Sequence, residues 1–188
     1  MLVGNVRQSL LVLLGATATS VNTWQVGQGE VRVTCSMTIG GSFDVTTTAL
    51  NGSVAPASGG SQALDGNLVV DLRTLDTGIG LRNRHLRENY LEVDKAPGFE
   101  TATLSEIHLD GLDPNKPEGK GSFTGLLRLH GTSNTVTGPV DVRPAGAGHR
   151  VKASFSVDLP AYAIPKPRYL GVGVKDTVRV EVAFEVSR

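Results

Sequence analysis

Cysteine occurs once in the 188 residues, as Cys35. A single thiol excludes an intramolecular disulfide and any zinc or iron–sulfur site built on several thiolates. Rings are scarce as well: one Trp, three Tyr and five Phe, so aliphatic side chains must fill most of the interior. Net charge is missing, with 18 Lys and Arg against 18 Asp and Glu, and with it the basic footprint of a nucleic-acid binder. No apolar run reaches the roughly 18 residues that a membrane-spanning helix needs. Catalytic and cofactor signatures are also absent. There is no G-x-S-x-G elbow, and Gly119-Lys120 lacks the upstream glycine and following hydroxyl of a P-loop. Gly78-Ile79-Gly80 and Gly171-Val172-Gly173 begin a dinucleotide fingerprint without completing it. His85, His108, His130 and His149 stand apart, without the spacing of a metal motif.

What is present is a period of two. Val31, Val33, Cys35, Met37 and Ile39 alternate with polar residues; so do Val151, Ala153, Phe155, Val157 and Leu159, and Val178, Val180, Val182, Phe184 and Val186. Such alternation means strands with one dry and one wet face, the mark of antiparallel pairing, since doubly covered parallel strands read as continuous apolar runs. Weaker versions occur at Leu68, Val70 and Leu72, at Phe123, Leu127 and Leu129, at Val140 and Val142, and from Leu104 to Leu112. Glycine- and proline-rich turns at Ala57–Ser61, Asp113–Gly119 and Pro144–Gly148 separate them. With 39% hydrophobic residues and room for one domain, the pattern predicts an all-β barrel or sandwich. Asn51-Gly52-Ser53 matches a glycosylation sequon, but Asn-Gly reads first as a turn or bulge.

Two segments break the rhythm. Between Asp76 and Val93, Ile79, Leu86, Tyr90 and Val93 are spaced seven, four and three apart, which predicts one short helix over about 77–90. Asp76 or Thr77 is the expected cap, Arg84 and Glu88 the expected solvated pair, and Pro97 the stop. The first eighteen residues combine Arg7, the apolar Leu10–Leu14 and Ala16-x-Ala18. That is the three-part pattern of a secretory signal peptide, with the mature chain starting near Thr19; the competing assignment is a buried first strand or helix.

An eight-stranded barrel either fills its interior with side chains or holds one small ligand. Its expected inward lining is Val33, Cys35 and Met37 on one strand, and Val70 and Leu72 on another. Leu127 and Leu129, Phe155 and Val157, and Val180, Val182 and Phe184 complete it. Small aliphatic walls leave room for a long apolar slot, though composition does not separate a slot from a packed core. Cys35 on the dry face reads as a core thiol. Arg82, His85 and Tyr90 are polar candidates at the barrel mouth, or else anchors of the helix.

The motifs Leu75-Asp76-Thr77-Gly78, Arg82, His85-Leu86-Arg87, Tyr90-Leu91-Glu92-Val93-Asp94 and Pro97 follow one another in order. They are joined by Phe123-Thr124-Gly125-x-Leu127-x-Leu129-His130-Gly131, by Ala153-x-Phe155-x-Val157-x-Leu159-x-x-Tyr162-x-Ile164, and by Tyr169-Leu170-Gly171-Val172-x-Val174-x-Asp176. Together, from about Trp24 to the C-terminus, this series resembles the YceI family. Three departures stand out: Val26–Glu30 in place of the family's Asp-Pro-x-His-Ser opening, Asn83 where an acid commonly follows the helix arginine, and an insertion at Gly98-Phe99-Glu100. Leu50-Asn51-Gly52 aligns with an aromatic-x-Gly bulge, against the turn reading.

The resemblance implies a lipocalin-like eight-stranded antiparallel β-barrel with one short helix against it. It implies an exported protein, periplasmic or secreted, often homodimeric, comprising residues 22–188 after a signal peptide at 1–18. It further implies an elongated cavity for a long apolar lipid: a polyisoprenoid, an isoprenoid quinone or a fatty-acid amide. No catalytic residues, metal or cofactor carry over. The expected role is therefore binding, transport or storage of such a lipid. Alternatives are an enzyme acting on an isoprenoid-type lipid, with Arg82, His85 and Tyr90 at its mouth, and a ligand-free, stress-related structural barrel.

Overall fold

The structure, a computed structural model, describes residues 23–58, 61–166, 168–169 and 172–188. The expected signal peptide at 1–18 lies outside the described residues. The long strands are β1 (Trp24–Ser36), β2 (Ser42–Thr47), β3 (Leu50–Pro56), β4 (Ala63–Asp71), β5 (Thr101–Asp110), β6 (Gly119–Leu129), β7 (Thr132–Ala145) and β8 (Gly148–Asp158). Two-residue strands β9 (Arg168–Tyr169) and β10 (Val172–Gly173) form a separate small ladder before β11 (Thr177–Ser187). Pairing runs β1, β3, β4, β5, β6, β7, β8, β11 and back to β1, all antiparallel. This is the closed eight-stranded barrel that the family resemblance implies, and of the barrel and sandwich that the alternation left open it is the barrel. Closure satisfies the ladder of every stave and buries the dry faces against one another.

One stave is broken. The C-terminal half of β1 pairs with β2, and its first residues, Trp24 and Gln25, pair with β3. The bend between them, at Thr48 and Ala49, is tied down by a hydroxyl chain. Ala49 N–H donates to Thr47 Oγ1 at 3.0 Å, Thr47 and Thr74 share a hydrogen bond of 2.5 Å, and Thr74 donates to the Asp71 carbonyl at 2.6 Å. Beyond the bend, Thr46 and Asp76 exchange two backbone hydrogen bonds of 2.9 Å, so Asp76 covers the outer edge of β2. Asn51-Gly52 is strand and not a hairpin turn. Gly52 has a φ of 136°, and a side chain there would run into the Asn67 carbonyl on β4.

Several boundaries differ from the sequence reading. β1 ends at Ser36, so Ile39 is not on a strand face but stands exposed in the following turn. Leu72 and Leu159 open short 3-10 turns at the ends of β4 and β8. The helix is shorter than 77–90: an α-helix, α1, spans Gly80–His85, and a wider π turn carries Leu86–Tyr90. Neither Asp76 nor Thr77 caps it, because both are engaged with Asn83 and Ile79 occupies the cap position. Arg84 and Glu88 are both exposed and make no ion pair with each other. The π turn changes the spacing that would align residues four apart.

Candidate functional site

Inside the barrel lies a cavity of about 810 Å³, within the size range of small-molecule sites. The register explains its wall. Val33 pairs with Val45 on one side and Val180 on the other, and Val180 pairs with Phe155. One layer up the barrel, Val178 meets Val157; one layer down, Val31 meets Val182. Across the cavity, Leu50 pairs with Val70, Val70 with Ala102, Leu68 with Leu104 and Leu104 with Leu127. All of these residues line it, as do Cys35, Met37, Leu72 and Leu129.

The structure thus places Val33, Cys35, Met37, Val70, Leu72, Leu127, Leu129, Phe155, Val157, Val180 and Val182 on one cavity wall. Phe184 is the correction. It is buried, but it pairs with Gly29 at the β1 bulge and fills space beneath the cavity floor. At the floor Phe155 is the lining ring, and the buried Phe123 backs it edge-on at 5.8 Å. Below it Trp24 stands edge-on to His149 at 4.8 Å, and Arg188 covers the Trp24 ring at 4.3 Å.

The Cys35 thiol is a free, buried member of the wall. Burial, with a smaller push from Asp44, drives it up to about 11, so it carries no thiolate at neutral pH and behaves as an apolar group.

The opposite end is open. Leu75, Thr77, Ile79, Leu81 and Leu86 join the turn glycines Gly40 and Gly41 and the β10 end around the mouth. Arg82, His85 and Tyr90 line this same rim. Arg82 lies over the Phe43 ring at 4.4 Å; among the described residues no hydrogen bond or ion pair joins the three to one another.

Two polar clusters hold the mouth in place. At its base, Asn83 Oδ1 accepts from Thr77 N–H and Oγ1 at 2.8 and 2.7 Å, while Asn83 Nδ2 donates to Asp76 Oδ1 at 2.7 Å. The Asn83 bond, with Gly78 N–H behind it, holds the Asp76 carboxyl below the usual carboxylate range. The second cluster went unread in the sequence. His130, buried in the β6–β7 turn, sits 3.1 Å through Nδ1 from the Tyr162 carbonyl and 3.0 Å through Nε2 from Glu92 Oε2. A carbonyl only accepts, so Nδ1 donates. Phe99, two residues after Pro97, covers the His130 ring at 4.5 Å. Gly131, at a φ of 75°, has no room for a side chain, because a Cβ would stand 2.9 Å from the Phe99 ring. His130 therefore ties the segment leaving the helix to the turn after β8.

Among the described residues no group of three or more His, Cys, Asp or Glu is arranged to hold a metal. No helix among them is long and apolar enough to cross a membrane.

Comparison with known proteins agrees with this architecture. The YceI-like domain matches over residues 16–186. No curated protein matches the sequence. Among solved structures, a polyisoprenoid binding domain from Saccharophagus degradans implicated in plant cell wall breakdown superposes with a TM-score of 0.63 at 17% identity, covering 87% of this chain and 97% of that one. BcnA of Burkholderia cenocepacia superposes with a TM-score of 0.65 at 18% identity, over 84% of this chain and 96% of the other. At such identities the likeness speaks for the fold.

Proposed function

The chain belongs to the YceI-like domain family, and we propose that it is a binding protein that holds a long apolar chain of polyisoprenoid type inside its barrel. The observation that carries this is the cavity: about 810 Å³, walled by Val and Leu from every side, closed below by rings and open above. A slot of this kind offers nothing to a polar ligand and much to a hydrocarbon tail. Each buried methylene contributes roughly 0.8 kcal/mol before ordering costs. The solved domain described as polyisoprenoid binding supports the same class of ligand. The residues named above on the wall would contact the tail, and Arg82, His85 and Tyr90 at the rim would face its polar end.

Binding alone is the role proposed. Arg82, His85 and Tyr90 stand separately around the rim, and among the described residues none has a partner that would make it an acid, base or nucleophile. The N-terminal pattern of Arg7, Leu10–Leu14 and Ala16-x-Ala18 supports export to the periplasm or beyond. There a barrel that shields a tail from water serves to carry or store lipid.

The test is to put a ring midway along the slot. Val180→Phe or Val157→Trp should reduce lipid extracted from the purified protein, read by mass spectrometry, with the melting temperature retained. If the interior is a filled core, the added ring overpacks it and costs about 1–3 kcal/mol, with no lipid to lose. That second result overturns the reading.

A further inference from the structure

The described residues expose three large hydrophobic side chains: Ile39 at 70%, Ile79 at 48% and Leu81 at 58%. All three belong to the open end. Ile79 and Leu81 line the mouth, and Ile39 adjoins Gly40 and Gly41, which also line it. Exposed aliphatics scattered singly over a surface need no explanation, but a set confined to one rim marks a contact.

The charges on the adjoining helix are mostly of one sign. From Gly80 to Tyr90 the helix and its π turn carry Arg82, Arg84, His85 and Arg87 against the single acid Glu88. Leu81, Arg84 and His85 are exposed and, three and four residues apart, share one helix face. Nearby, Arg73 is paired with Asp71, Lys95 with Glu92 and Lys166 with Asp176. Among the described residues, Arg82, Arg84 and Lys175 have no such partner. Lys175 is exposed, and its backbone N–H bonds to the Ser36 carbonyl at the end of β1, next to the turn that holds Ile39.

We propose that this rim docks on the surface of an anionic lipid bilayer, with Ile39, Ile79 and Leu81 entering the interface and Arg82, Arg84 and Lys175 facing lipid phosphates. Apolar residues flanked by unpaired cations are the composition of an interfacial contact. The geometry favours a bilayer over a protein partner because the three side chains border an opening, so a flat apolar medium is continuous with the cavity. A tail would then pass from bilayer to barrel without crossing water. The proposal extends the reading of the cavity as a lipid site, and it is tested apart from it.

The experiment is co-sedimentation of the full chain with phosphatidylcholine vesicles, with and without phosphatidylglycerol, and in parallel the uptake of a fluorescent farnesyl probe from vesicle-free solution. The expected result is binding to the anionic vesicles only, weakened by salt. Ile39→Ser, and Arg84→Glu combined with Lys175→Glu, should each lower it by about tenfold or more while probe uptake stays unchanged. Lys120→Glu with Lys152→Glu makes the same charge change on the barrel wall and should bind vesicles as the unaltered chain does. The proposal is overturned by an absence of vesicle binding, by equal binding to the neutral vesicles, or by equal losses from the rim and wall pairs. A soluble dimer that Ile39→Ser dissolves, without vesicle binding, would assign the rim to a second copy and also overturn it. Vesicle binding that depends on the rim, with no probe uptake, upholds the docking surface and removes the cavity reading instead.

Discussion

The two ends of the barrel are built from the same eight staves and differ in what is done with their tips. At the closed end β7 turns into β8 at Gly146 and Ala147, and the space between the staves is filled by Phe123, Phe155, Phe184, Trp24 and His149. At the open end β1, β4 and β8 stop at Ser36, Asp71 and Asp158, and longer connections lie over the rim without filling it. Closing a barrel takes ring volume, and this chain has few rings to place. Where aliphatics alone face each other across the same width, a cavity is left. The closed end sets stability; the open end gives it up for access.

The largest effect should come from the floor. Phe123 is buried and edge-on to Phe155, so Phe123→Ala should cost about 3–5 kcal/mol in urea unfolding. Leu81→Ser, at the mouth, should stay within about 0.5 kcal/mol. Comparable losses at the two sites would mean that the rim is packed like the floor, and the contrast between the ends would fail.

The next concerns how the open end keeps its shape without a packed plug. His130 is buried and bridges Glu92 to the Tyr162 carbonyl. His130→Ala strands that carbonyl and should cost about 1–3 kcal/mol. The loss should be local, with faster amide exchange in residues 92–99 and 159–164 and unchanged exchange in β7 and β8. Uniform acceleration would show that His130 supports the whole barrel.

The same contrast governs what could be read in advance. The staves with strict alternation, around Val33, Val157 and Val182, were legible because each is wet on one face and dry on the other. β2 and β3 were not. Thr46, Thr47 and Thr48 carry no alternation, and the bend at Thr48 and Ala49 interrupts the period just where Val45 and Leu50 turn inward. Whether the interior is filled or hollow depends on distances between staves, which no strand's own sequence encodes. Phe184 departs from the expected lining for that reason: its face is correct, and its height along the barrel depends on the Gly29 bulge. The role of His130 is not legible in the sequence because its partners come from segments 38 and 32 residues away.

A smaller effect appears in acid. Lys95 first, against some desolvation and with help from His130, holds the Glu92 carboxyl below its usual range. A carboxyl lowered on folding adds stability that is complete above the ordinary carboxylate range and disappears as pH falls through the lowered value. Glu92→Gln should therefore lower stability at neutral pH and flatten this part of the acid limb, as followed by unfolding curves from neutral pH down to acid. A variant whose acid limb stays as steep as the original would detach Glu92 from the tie.

The smallest effect is the most discriminating, because it asks whether one hydrogen bond positions the mouth. In Asn83→Asp the side chain still offers an oxygen to Thr77 N–H and Oγ1, and loses only the donor that Asn83 presents to Asp76. At neutral pH two carboxylates then face each other across a 2.7 Å contact, and the lowered Asp76 carboxyl should rise toward or above its usual range. Folded-state titration shifted upward reverses the linkage: the variant should approach the unaltered chain at low pH, where one carboxyl is protonated and donates, and fall behind as pH rises. Amide exchange at Thr77 and Gly78 should follow the same course, while the floor around Phe123 stays protected throughout. A deficit independent of pH would mean that Asn83 acts through shape alone, and the mouth would then owe its position to the backbone pairing of Thr46 with Asp76.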